Sequence, residues 1–180
     1  MPPGLLVYTG HRENSPAKVI SIAYTDPLFE EKQGYIENFV LGKSGVLWTD
    51  VCGLTYTKLI EQIGTDHQIH PLALEDVLDT QQRSKLEEFV NWLFFIVHHL
   101  KVNCVALEIH SEQIALFARK NFLVSFQEDP DDTPPGAIVV KKASGDCEKK
   151  ALIIWLMRCS TWCWTVTNPY WMILKHRHWK

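Results

Sequence analysis

The chain has 180 residues, 46% of them hydrophobic and 22% charged, which fits one folded domain and excludes a disordered chain. Its net charge of −3 is uneven: residues 1–145 carry 12 Lys+Arg and 19 Asp+Glu, whereas residues 146–180 carry 6 and 2. An acidic body excludes broad binding to a phosphate backbone, so nucleic acid is not an expected partner.

The opening MPPGLLVYTG lacks the basic start and long apolar core of a signal peptide. Cys52 and Cys104 are therefore expected as buried thiols rather than disulfide partners. No apolar run reaches the ~18 residues of a membrane span. The expectation is a soluble, cytoplasmic chain.

LLVY at 5–8 reads as a first strand and KVISIAY at 18–24, which alternates, as a second. Asp26 and Pro27 have the chemistry to open a short helix. Residues 34–45 hold three glycines and read as loop, with a short strand at 36–41 as the alternative. GVLWTDV at 45–51 reads as a strand.

The period then changes. Tyr56, Leu59, Ile60 and Ile63 fall on one helical face over 54–63, with Gly64 as the stop. His70-Pro71 opens a second helix over 71–79, with Leu72, Leu74, Val77 and Leu78 as its apolar residues. Residues 79–84 are turn-like. Strands follow at 91–102, 105–110, 112–119 and 122–128, the last two as a hairpin about Lys120-Asn121. DPDDTPPG at 129–136 reads as the start of a linker.

Glu75 and Asp76 sit mid-helix, and Asp79 falls one turn beyond Asp76, on the same face. Oxygen ligands so placed suit Mg²⁺, although a solvated helix face has the same spacing. His98 and His99 are adjacent in a strand and point to opposite faces, so they cannot share an ion. His67 and His70 read as capping or solvent contacts. Cys159, Cys163, His176 and His178 form only a loose zinc pattern with poor histidine spacing. No phosphate loop, nucleophile elbow or H-E-x-x-H occurs, so no catalytic residues and no organic cofactor are expected.

Three stretches resemble the CorA magnesium and cobalt channels and the related ZntB zinc transporters. They are PPGLLVYTG at 2–10, HPLALEDVLDTQQRSKLEEFVNWLFFIV at 70–97 and SEQIALFARKNFLVSFQED at 111–129. The resemblance covers residues 2–145. It implies an α/β (α+β) cytoplasmic domain with a mixed β-sheet between helical layers. In that family the domain leads into a long stalk helix, two transmembrane helices and a G-M-N pore motif, none legible here. The family forms homo-pentamers in the cell membrane, with divalent ions held between neighbouring cytoplasmic domains. Asp76 matches the family's regulatory carboxylate, Glu75 is its neighbour, and Asp79 is a further acidic contact. The implied ion is Mg²⁺, with Co²⁺ or Zn²⁺ as alternatives. Gln81-Gln82-Arg83-Ser84-Lys85 departs slightly from the family's H-Q-R-P-K.

Residues 146–180 hold five of the seven tryptophans and three of the five cysteines. The resemblance implies a Leu/Asp-rich helix there instead. Reading the last base of each codon with the first two of the next permits such a helix, including the family's D-Y-L. The tail is therefore expected to be out-of-frame translation. The rival is a Trp-rich, basic interfacial anchor, whose helical face Asn168 and Pro169 would spoil. The expected function is a truncated cytoplasmic regulatory domain of a magnesium/cobalt transporter. The alternatives are a ZntB-like fragment or a stand-alone metal-sensing or interaction domain.

Overall fold

The computed structural model describes residues 6–11, 16–24, 29–36, 45–103, 108–119 and 121–129. Cys104, the linker and the whole of 146–180, with its cysteines and histidines, lie outside the described residues. Seven strands and two helices follow in the order β1 (Lys18–Tyr24), β2 (Phe29–Gln33), β3 (Val46–Cys52), α1 (Thr57–His67), α2 (Pro71–Leu78), β4 (Lys85–Glu88), β5 (Leu93–Asn103), β6 (Glu108–Arg119) and β7 (Phe122–Gln127). They build one mixed sheet in the order β2-β1-β3-β7-β6-β5-β4. All pairs are antiparallel except β3 with β7, which run parallel. This is the α+β class with a mixed sheet. The described helices form one layer; a second layer would lie outside the described residues.

Alternation assigns the faces. Leu47 and Val51 of β3, Phe94 and Ile96 of β5, Ala115 and Phe117 of β6, and Val124 and Phe126 of β7 share a core with the helices. Ile60 and Ile63 of α1 and Ala73, Leu74, Val77 and Leu78 of α2 complete it. Phe94 stacks on Phe117 at 4.4 Å, and Phe126 meets Phe117 edge-on at 6.0 Å. Each buried ring stabilises the fold by about 2–3 kcal/mol relative to exposure. The opposite face carries Ile22, Trp48, Phe95, Ile114, Leu116, Ala118 and Leu123.

Several sequence expectations are corrected. Residues 6–9 form no strand; the Thr9 N–H donates to the Leu78 carbonyl at 3.1 Å and ties this segment to the end of α2. The helix expected to open at Asp26-Pro27 lies outside the described residues; FEEKQ at 29–33, given no element by the sequence, pairs with β1 as an edge strand. Charged residues suit an exposed edge, and pairing overrides their weak strand propensity. KLEE at 85–88 is the opposite edge. The break expected at 111 is absent, since Ser111 pairs with Leu100 inside the continuous β6.

Gly64 does not end α1. It is buried within the helix, which continues to His67 and closes at Gln68 in the left-handed conformation (φ 57°). Gln68 N–H donates to the Thr65 carbonyl at 3.2 Å and Ile69 N–H to the Gly64 carbonyl at 2.8 Å. These two bonds form a Schellman closure, so Gln68 holds the position usually given to glycine.

Candidate functional site

The carboxylates singled out by sequence lie at the C-terminal half of α2. His70 caps the start of this helix, its Nδ1 accepting from Leu72 N–H at 3.2 Å. The far end points unpaired carbonyls and the negative end of the helix dipole at its surroundings. Gln113, buried on β6, answers two of them: its Nε2 donates to the carbonyls of Asp76 (3.2 Å) and Asp79 (3.0 Å). Its Oε1 accepts from Gln82 N–H at 3.0 Å.

Asp76 Oδ2 accepts from Lys85 Nζ at 2.7 Å, and the same ammonium lies 2.9 Å from Glu87 Oε1. Asp76 and Lys85 are about three-quarters buried. Burial alone would lower the Lys85 pKa. The hydrogen bonds to Asp76 and Glu87 outweigh it and leave the pKa raised, so the ammonium is charged at neutral pH.

Asp79 is the C-cap of α2, and its N–H still donates to the Glu75 carbonyl at 3.0 Å. α2 ends at Leu78 and Asp79 is extended (φ −85°, ψ 95°). Its carboxylate organises the next turn, accepting from Gln82 Nε2 at 2.7 Å, Gln81 N–H at 3.3 Å and Thr9 Oγ1 at 3.4 Å. Glu75 is partly buried on the helix. Among the described residues no three His, Cys, Asp or Glu side chains converge on one metal position. Among the described residues, this end of α2 alone offers too few oxygens to enclose a hard cation, which takes about six. Lys85, Glu87 and Gln113 escaped the sequence reading. The signal for the first two is the spacing of Lys85 and Glu87, which puts both on one face of a strand.

Two further polar clusters stand out among the described residues. His67, expected at the surface, is buried and stacks on Phe122 at 3.9 Å. Its Nδ1 lies 3.4 Å from Arg119 Nη2 and its Nε2 lies 3.0 Å from the Tyr35 hydroxyl, which donates to Asp66 Oδ2 at 2.9 Å. Burial, and then the Arg119 charge, push the His67 pKa down to about 4. The ring is therefore neutral, with Nδ1 accepting and Nε2–H donating. Arg119 itself lies over the Trp92 ring at 4.5 Å. On the opposite sheet face, Trp48 Nε1 donates to Ser125 Oγ at 2.7 Å and Ser125 Oγ donates to the buried Asp50. Cys52 is buried beside Asp50, and burial first, then that carboxylate, push its pKa up. His98 and His99 lie on opposite faces of β5, as expected; His98 Nδ1 is 3.1 Å from Ser84 Oγ.

No described helix is long and apolar enough to cross a membrane. A family model described as CorA-like Mg²⁺ transporter protein matches residues 43–156, more than half of the chain. The cobalt/magnesium transport protein CorA of Thermotoga maritima is 35% identical over 136 residues, which cover 73% of this chain and 38% of that protein. The chain therefore spans well under half the length of this relative. Among solved structures, the full-length CmaX protein superposes with a TM-score of 0.63 at 11% identity, covering 82% of this chain and 46% of CmaX. The ZntB cytoplasmic domain of Vibrio parahaemolyticus gives a TM-score of 0.57 at 11% identity, covering 79% of this chain and 57% of that one. These two likenesses are of fold. On the family match and the sequence identity, this chain belongs to the CorA-like Mg²⁺ transporter family.

Proposed function

We propose that this chain is the cytoplasmic regulatory domain of a divalent-metal transporter and that Asp76, with Glu75 beside it, presents carboxylates to Mg²⁺ or Co²⁺. One observation carries the reading. Asp76 stands at the negative end of α2, where a cationic group already rests 2.7 Å away, in a chain 35% identical to a protein named for cobalt and magnesium transport. Magnesium takes about six oxygens and keeps several waters, so one carboxylate pair suits a site shared between subunits. A homo-pentamer would supply the remaining ligands. Magnesium and cobalt are preferred to zinc because the likeness to the ZntB domain is one of fold at 11% identity.

The test is a magnesium titration of the 180-residue chain, followed by NMR at the amides of α2 and β4. Asp76→Asn should raise the half-saturating concentration by about tenfold, as expected when one charge is removed beside a doubly charged ion. Unchanged affinity overturns the assignment of Asp76.

Residues 146–180 we read as out-of-frame translation of a Leu/Asp-rich helix. Genomic sequencing from the codon of Phe126 past Lys180 tests this. One inserted base that opens a frame with two apolar spans and G-M-N supports it; an intact frame that ends at Lys180 refutes it.

A further inference from the structure

Two carboxylates and one ammonium meet where β4 faces α2. Lys85 Nζ is 2.7 Å from Asp76 Oδ2 and 2.9 Å from Glu87 Oε1. Residues two apart on a strand share a face, so the backbone itself aims Lys85 and Glu87 together at the helix. The Lys85 ammonium also lies 5.3 Å from the centre of the Phe94 ring, which fixes its inner position. A positive group therefore already occupies the point where the oxygens of two separate elements converge.

We propose that Lys85 is a tethered counter-cation that holds Asp76 until a divalent ion displaces it. The inference rests on the reading of Asp76 given above and adds how that position is regulated. A doubly charged ion and an ammonium cannot both lie within bonding distance of Asp76 Oδ2 without strong mutual repulsion. An ion that enters at Oδ2 therefore expels the Lys85 head. The side chain can comply: its stem is flexible, and about a quarter of its surface already faces solvent. Its departure frees Glu87 Oε1 as a second oxygen near the ion. Occupancy is then an exchange of one cation for another, and Lys85 raises the ion concentration needed to fill the position. It also keeps Asp76 from standing as an uncompensated, largely buried charge when the ion is absent.

The experiment is the same magnesium titration by NMR on the full 180-residue chain, with Lys85→Met, Lys85→Arg and Asp76→Asn beside the wild type. Lys85→Met should lower the half-saturating magnesium concentration by about tenfold. Lys85→Arg, which keeps the charge, should not bind more tightly than the wild type. In the wild type the Lys85 Cε resonance should move with the same midpoint as the Asp76 amide, because its head group leaves as the ion arrives. Should Lys85→Met fail to fold, Lys85→Gln carries the same expectation. Equal affinity for the neutral variant and the wild type, with Asp76→Asn weakened, overturns the role of Lys85 alone. No effect of Asp76→Asn overturns both readings.

Discussion

Leu74 of α2 fills the notch left by Gly64 of α1: its Cδ1 stands where it would collide with a β-carbon on Gly64. The absent side chain is what lets the two helices approach so closely. Gly64→Ala gains up to about 1 kcal/mol of helix propensity. It loses about 1–3 kcal/mol by forcing a buried leucine aside. The expected net result is a lower melting temperature. Combining Gly64→Ala with Leu74→Ala should cost less than the sum of the two single changes, because the second removes the clash made by the first. Strict additivity in thermal melts would count against the contact.

His67 makes stability depend on pH. Its pKa falls from the ordinary 6.5 to about 4 in the folded chain, through burial and the nearby Arg119. The unfolded chain therefore binds the proton more readily. The contribution is fully present above pH 6.5 and is lost as pH falls toward 4. Its size is up to about 3 kcal/mol. His67→Gln keeps polar contacts but does not titrate in this range. Urea unfolding at about pH 7 and about pH 5 should show a smaller fall in stability for this variant than for the wild type. An equal fall in both would assign the acid sensitivity to other groups.

Gln113 serves three backbone groups at the end of α2 and in the turn after it. Gln113→Leu preserves burial but leaves those groups without this partner. The expected loss is about 2–3 kcal/mol in urea unfolding, since stranded buried polar groups cost more than an average hydrogen bond is worth. A loss below 0.5 kcal/mol, within the noise of a surface change, would mean that water replaces the amide.

Thr49 points the other way. It is fully buried in β3, and its Oγ1 has no hydrogen-bond partner among the described residues. Thr49→Val replaces the hydroxyl with a methyl of similar shape and should stabilise the chain by about 1 kcal/mol. A lower denaturation midpoint in the variant would reveal a partner for that hydroxyl.

Much of the fold can be read from local pattern. The alternation of KVISIAY gives the bounds of β1, and the Pro after His70 places the start of α2. The hairpin of β6 and β7 follows from two apolar runs joined by a polar turn. What stayed hidden depends on neighbours remote in sequence. FEEKQ and KLEE become strands only because a sheet edge accepts them. Gly64 resembles a helix stop until Leu74 is seen against it. At the candidate site, Asp76 is legible through its helix and its family resemblance. Its partner Lys85 lies nine residues on, past a turn, and reaches it only after β4 pairs with β5. The bonds of Asp79 to Gln81 and Gln82 depend on the turn that follows the helix, which spacing alone does not show.

The order of the sheet also has a consequence during synthesis. β7 is the last described strand to leave the ribosome, yet it stands in the centre, with three strands on either side. Until residues 122–127 emerge, β2-β1-β3 and β6-β5-β4 are two separate half-sheets, each with an inner edge open to foreign strands. The parallel contact between Leu47 and Phe122 closes a long loop, and such a closure is slow. One six-residue strand thus stitches the halves together, and its arrival marks when a nascent chain stops being vulnerable to aggregation.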